Sequence, residues 1–225
     1  MQGQVIMQGK FIVIEGCDGS GTTTQASLVT DALVKNGIPT VLSAEPTEYP
    51  IGRLIRQFLS AKNPPDAKGF TCLFAADRYN HIEKLKPILA AGTWVVCDRY
   101  VYSSIVYQHF LSGVDLSFLL QVNKYILPPD MIFILNVDEE TALNRLNSRD
   151  SDRDIFEKKE SITKIVEGYT ILSVILHEYK DNPLCHEDSQ KLANFAPFLM
   201  RPLISINGKQ TKEEVRDQIL QHIWK

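Results

Sequence analysis

The stretch Gly16-Cys17-Asp18-Gly19-Ser20-Gly21-Thr22-Thr23-Thr24 decides how the chain is read. The apolar run Phe11-Ile12-Val13-Ile14 leads into it, and a helix-like segment from Thr23 to Lys35 leads out. Strand, glycine turn and helix are the setting of a phosphate-binding loop. Glycines let the backbone turn sharply and approach an anion closely. The amides of the loop and of the first helical turn then converge on one point and collect a phosphate there. Two positions depart from that pattern. Thr22 stands where lysine is usual, so the loop lacks its own cation. Asp18 is a carboxylate beside a phosphate, which makes sense if it faces a hydroxyl or a hydrated cation. Thr23 occupies the position whose hydroxyl ligates Mg²⁺.

Outward from the loop the pattern repeats. Further short apolar runs lie at Thr40–Leu42, Trp94–Cys97, Met131–Leu135 and Leu203–Ile206. None alternates strictly, as expected of parallel strands covered on both faces. Helical stretches separate them: Asp66 to Ala91 interrupted by Pro87, Leu116 to Leu127 before Pro128-Pro129, Glu139 to Asn147, Ile155 to Tyr179, and Thr211 to Trp224. The last opens on Thr211 with Glu214 three residues on, a capping-box signature. The prediction is an α/β chain with a five-stranded parallel sheet covered by helices on both faces. Residues 1–9 read as a leader, 148–156 as a doubly charged loop, and 182–201 as a long connection with one short helix.

With 225 residues the chain fits one domain, and a hydrophobic fraction of 44% with 23% charged residues is that of a soluble globular protein. A net charge of -3 argues against a general nucleic-acid binder. Cys17, Cys72, Cys97 and Cys185 show no C-x-x-C spacing and read as reduced thiols of a cytoplasmic protein. Neither a signal peptide nor a membrane-spanning run is visible.

A second chemical block, Asp98-Arg99-Tyr100, follows the third strand. Ligands of open α/β sheets bind beyond the carboxyl ends of strands. There a carboxylate orients the waters of a cation and a guanidinium grips phosphate in a bidentate way. On these residues alone, a plain ion pair at a strand end explains the block equally well.

Several blocks taken together carry a family resemblance. Phe11 to Gly21, Thr24-Gln25, Glu45-Pro46-Thr47, Leu73-Phe74-Ala75-Ala76-Asp77-Arg78, Asp98-Arg99-Tyr100-Val101-Tyr102-Ser103-Ser104 and Tyr107-Gln108 resemble the thymidylate kinases, in the family's order and spacing up to about residue 157. The resemblance implies the three-layer fold of P-loop nucleoside monophosphate kinases, with ATP as phosphoryl donor, dTMP as acceptor, Mg²⁺, and a homodimer. It implies that residues 16 to 24 hold the donor phosphates and that Thr23 and Asp98 serve the metal. It also implies that Phe74 stacks on thymine, that Arg78 meets a base carbonyl, that Gln108 reads the base edge, and that Ser104 assists. Glu45 belongs to the same pocket. Arg99 would hold the acceptor phosphate, Asp18 the deoxyribose 3′-hydroxyl or the magnesium shell, and Arg56 a second phosphate contact, with Arg53 close enough to compete. The run Arg145, Arg149, Asp150, Asp152, Arg153 resembles the family's lid. Since position 19 is glycine, Arg149 and Arg153 are the candidates for the cation on the transferred group. Taken singly these residues mean less, since a lone phenylalanine is more often core and a lone arginine merely solvated. Two alternatives use the same residues. One is a kinase of another nucleoside monophosphate or of a deoxynucleoside. The other is a nucleotide-binding protein that turns over poorly because Thr22 replaces lysine.

Overall fold

The computed structural model describes residues 8–60, 65–148, 156, 159–181 and 201–225. Five parallel strands form one sheet: β1 Phe11–Gly16, β2 Thr40–Ala44, β3 Trp94–Asp98, β4 Met131–Asn136 and β5 Leu203–Asn207, in the order β2-β3-β1-β4-β5. The first strand is central because its neighbours on both sides are apolar, and all six of its residues are buried. Alternate side chains feed opposite faces. Ile12 and Ile14 pack with Phe133, Leu135 and Val96 under two helices, α1 (Thr22–Lys35) and α8 (Lys212–Ile223). Phe11 and Val13 face the larger core on the other side, with Val95, Cys97, Ile132 and Ile134. That side is covered by α3 (Ala67–Ala90), α4 (Val101–Ser104), α5 (Leu116–Val122), α6 (Glu139–Asn147) and α7 (Lys159–Asp181). α2 (Pro50–Leu59) packs on α3.

Thr211 caps α8, with both halves of the capping box present. Other elements differ from the sequence reading, which placed no helix over α4. α2 has no counterpart there, although Pro50 at its start is pre-set for a first helical turn. α3 runs through Pro87 without a break, because Pro87 lies in the last turn on the exposed face, where only one helical hydrogen bond is given up. α5 stops at Val122, not Leu127, since Asn123 turns its side chain into the core instead of extending the helix.

Phe133 tests this packing. It is fully buried under α8, in edge contact with His222 at 6.5 Å between ring centroids. Phe133→Ala is expected to cost about 3–5 kcal/mol of unfolding free energy, read by urea denaturation. A loss below about 1.5 kcal/mol would mean that α8 does not seal this face.

Candidate active site

All five strands end on the same side, so the loops after β1, β2 and β3 meet there. The glycine loop follows β1. Gly19 and Gly21 have φ of 84° and 97°, the left-handed region. A side chain at Gly19 would collide with the Ala142 carbonyl of α6, since its Cβ would sit at 2.6 Å. Gly21 begins α1 with its carbonyl accepting from the Gln25 amide at 2.9 Å. Thr22 follows, nearly buried, in the first turn of α1. The Cys17 thiol is pushed up to about 12 by burial and by the adjacent Asp18, so it stays neutral.

Two guanidinium groups reach this loop from elsewhere in the described residues. Arg145 of α6 donates to the Gly19 and Ser20 carbonyls at 3.3 Å each and to the Gly208 carbonyl at 2.8 Å. All three of these bonds go to backbone oxygens. Arg99, just past β3, donates to the Gly16 carbonyl at 2.9 Å and to Asp18 Oδ1 at 2.6 Å. It also meets Ser103 Oγ and the Tyr107 hydroxyl at 3.3 and 3.2 Å. Arg99 has φ of 68°, unusual for a residue with a side chain, and such strain gathers at functional sites. Asp18 Oδ2 accepts from the Tyr107 hydroxyl at 2.8 Å.

Thr23 donates a short hydrogen bond to Asp98 Oδ2. The other oxygen, Oδ1, is buried without a partner among the described residues. A hydroxyl, a carboxylate and an orphan carboxylate oxygen at the mouth of a phosphate loop form a hard-oxygen set that fits Mg²⁺. This ion typically takes one or two protein ligands and completes its shell with water and phosphate. No group of three His, Cys, Asp or Glu residues placed to hold a metal occurs among the described residues.

Beside this lies a cleft of about 220 Å³, walled by Thr23, Asp98 and Arg99 at one side and by Phe74, Arg78 and Gln108 elsewhere. Arg78 is 1% exposed. It donates to Glu45 at 2.8 Å, Asn123 Oδ1 at 2.6 Å and Ser104 Oγ at 3.0 Å. Glu45 is in turn held by His81 Nδ1 at 2.9 Å, whose other nitrogen meets Ser43 Oγ at 2.6 Å. Asp77 ties down the next turn by accepting from the Thr47 amide at 2.7 Å. Arg56 also lines the cleft, bonded to the Pro46 carbonyl and to Glu48, whereas Arg53 is exposed and not part of the wall. Gln108 sits on a π-helical segment, Ile105–Leu111, with its Oε1 buried and unpartnered among the described residues. Such widened turns recur at functional sites.

The structure therefore brings Asp18, Thr23, Glu45, Arg56, Phe74, Arg78, Asp98, Arg99, Ser104 and Gln108 around one cleft. Arg149 and Arg153 lie outside the described residues. The sequence reading assigned no role to Glu15, Ser103, Tyr107, His81 or Asn123. The one local signal was Glu15 itself, a charge ending an otherwise apolar strand.

Comparison with known proteins settles the family. A thymidylate kinase family model matches residues 14–180. The chain belongs to the thymidylate kinase family. Among its thymidylate kinase relatives, a probable thymidylate kinase of Methanococcus aeolicus is 44% identical, covering 76% of this chain and 84% of that protein. One from Methanocaldococcus jannaschii is 42% identical over 75% and 84%, and one from Thermococcus kodakarensis 38% over 76% and 87%. The thymidylate kinase match spans both the glycine loop and the cleft, so the two halves of the site belong to one family pattern.

Proposed function

We propose that the protein transfers the γ-phosphoryl group of ATP to dTMP, giving dTDP and ADP. The observation that carries this is Arg78: a buried, donor-only group, pinned from three directions, at the wall of the acceptor cleft. A guanidinium there can receive a ring carbonyl and rejects an amino group. Gln108 offers an amide that can turn either way, so it reads the neighbouring edge without choosing the base. Phe74 supplies a flat face for stacking. Thymine, with a carbonyl where cytosine carries an amine, fits this set.

The reaction joins an oxygen of the dTMP phosphate to the γ-phosphorus of ATP. The bond from that phosphorus to the β–γ bridging oxygen breaks, and its electron pair leaves with ADP. The protein's part is alignment and charge stabilisation. Residues 16 to 24 hold the donor phosphates through backbone amides. Arg99, touching both the glycine loop and the acceptor cleft, holds the acceptor phosphate, and Arg56 helps at the mouth. Asp18 orients Arg99 and reaches the sugar hydroxyl or the metal's waters. Thr23, Asp98 and Glu45 stay with the metal and the pocket wall. Mg²⁺ held by Thr23 and Asp98 would neutralise phosphate charge. Arg149 or Arg153 takes the place of the lysine that Thr22 displaces.

Residues 1–225 form one nucleoside monophosphate kinase domain, with a leader at 1–9, a lid at 148–156 and a connection at 182–201. A homodimer is part of this reading, supported by the family resemblance and checked by light scattering. So is a cytoplasmic location, supported by the free thiols of Cys17, Cys72 and Cys97. No helix among the described residues is long and apolar enough to cross a membrane.

A panel of monophosphates in an ADP-coupled assay tests the assignment. The expected result is turnover of dTMP at least about 100-fold faster than of dCMP, since a lost carbonyl contact leaves buried donors unpaired. Turnover of dCMP or dGMP with dTMP inert would overturn it.

A further inference from the structure

Glu15 is fully buried at the end of β1, and the transfer reaction as described has no use for it. A buried carboxylate is costly unless hydrogen-bonded. Glu15 accepts from the Tyr100 amide at 2.8 Å, the Ser103 amide at 3.2 Å, Ser103 Oγ at 2.7 Å and the Tyr169 hydroxyl at 2.9 Å. Ser103 Oγ also lies 2.9 Å from the Tyr169 hydroxyl and accepts from Arg99 at 3.3 Å. One connected chain thus runs from α7 to the guanidinium of Arg99. Tyr169 is 3% exposed and, like Glu15, does not line the cleft, so neither touches an acceptor there. A second contact joins the same regions: Phe156, ahead of α7, packs edge-on against Tyr107 with ring centroids 5.4 Å apart.

We propose that Tyr169 is a positioning residue for Arg99, acting through Ser103 and the buried carboxylate of Glu15. The inference rests on the reading of Arg99 as the group that holds the acceptor phosphate. Without the Tyr169 hydroxyl, Glu15 Oε2 draws on Ser103 alone and Ser103 swings toward it. Arg99 then loses one of the oxygens that set its plane, while Asp18 pulls it from the other side. A guanidinium turned this way no longer presents a fork to phosphate. The donor loop is untouched, because its amides are fixed by backbone geometry.

Protonation of Glu15 has the same consequence. Burial raises its pKa, opposed in part by Ser103, Arg99, Tyr169 and the Tyr100 amide. The titratable and charged groups facing it are Arg99 and Cys97 at the end of β3, Tyr102 on α4 and Tyr169 on α7. Removing the Tyr169 donor makes Glu15 easier to protonate still.

The test uses the full chain as wild type, Tyr169→Phe and Glu15→Gln, with KM measured separately for dTMP and ATP, a pH profile and a melting curve. Tyr169→Phe is expected to raise the dTMP KM about tenfold, the worth of one hydrogen bond to a charged group, with the ATP KM within about twofold. The acid limb of kcat/KM for dTMP is expected to move to higher pH. Glu15→Gln is expected to raise the dTMP KM at least as much and to remove the Glu15 part of that limb. A purely structural pin for α7 would lower the melting temperature and move both KM values together, or neither. Either result overturns the proposal, as does an unmoved acid limb. If the wild type prefers another monophosphate, the dTMP assignment fails, and the same split is read on that acceptor. If nothing turns over, dTMP affinity by calorimetry takes its place: about tenfold weaker binding by Tyr169→Phe supports the inference, and unchanged binding overturns it.

Discussion

Arg99→Ala is expected to lower kcat/KM for dTMP by about 10²–10³, the usual loss on removing a well-placed donor to developing charge. The expectation has a second part. Arg99 and Asp18 are a partly buried pair at 2.6 Å, with side chains 18% and 22% exposed. Removing the arginine leaves the Asp18 carboxylate uncompensated where two phosphate chains must approach. Breaking one partner of such a pair costs more than the pair contributes. Adding Asp18→Asn to Arg99→Ala is therefore expected to recover several-fold of the lost rate, although Asp18→Asn alone is harmful through lost orientation of Arg99. Strict additivity of the two losses would show that Asp18 acts on the sugar or metal alone.

The second large effect concerns the missing lysine. Thr22 carries no charge, Arg145 is engaged with three backbone carbonyls, and Arg99, bonded to Gly16 and Asp18, is assigned to the acceptor phosphate. On the function proposed above, Arg149 or Arg153 supplies the cation for the developing charge. Arg149→Ala or Arg153→Ala is expected to lower kcat by about 10²–10³, with ATP affinity changed only a few-fold. The split matters because a contact made equally in ground and transition states would raise KM and leave kcat alone. Near wild-type kcat in both variants would remove the lid as the source of the cation.

Much of the fold could be read from the chain because its decisive signals are local. Phe11–Ile14 is apolar on both alternating faces, which demands a central parallel strand, and the glycines after it demand a turn into a helix. Gly92 and Thr211 mark their helix boundaries within a residue or two. The misses have non-local causes. Nothing near Asn123 says that α5 ends there; its side chain is drawn in by Arg78, 45 residues away. The π-helical segment at Ile105–Leu111 widens a turn where a plain α-helix would satisfy the sequence equally well. At the site, Phe74 and Arg78 share a helix face by their spacing of four, and Asp98-Arg99 follow a strand, so both were legible. The Glu15–Ser103–Tyr169 chain joins residues 88 and 154 positions apart, and only the folded core brings them together.

A site without the loop lysine must still turn over. The most direct measurement incubates the full chain with ATP, Mg²⁺ and dTMP and resolves the nucleotides by chromatography. dTDP and ADP in equal amounts are expected, with no product when Mg²⁺ is chelated. Binding of both nucleotides by calorimetry with no dTDP formed would contradict that expectation.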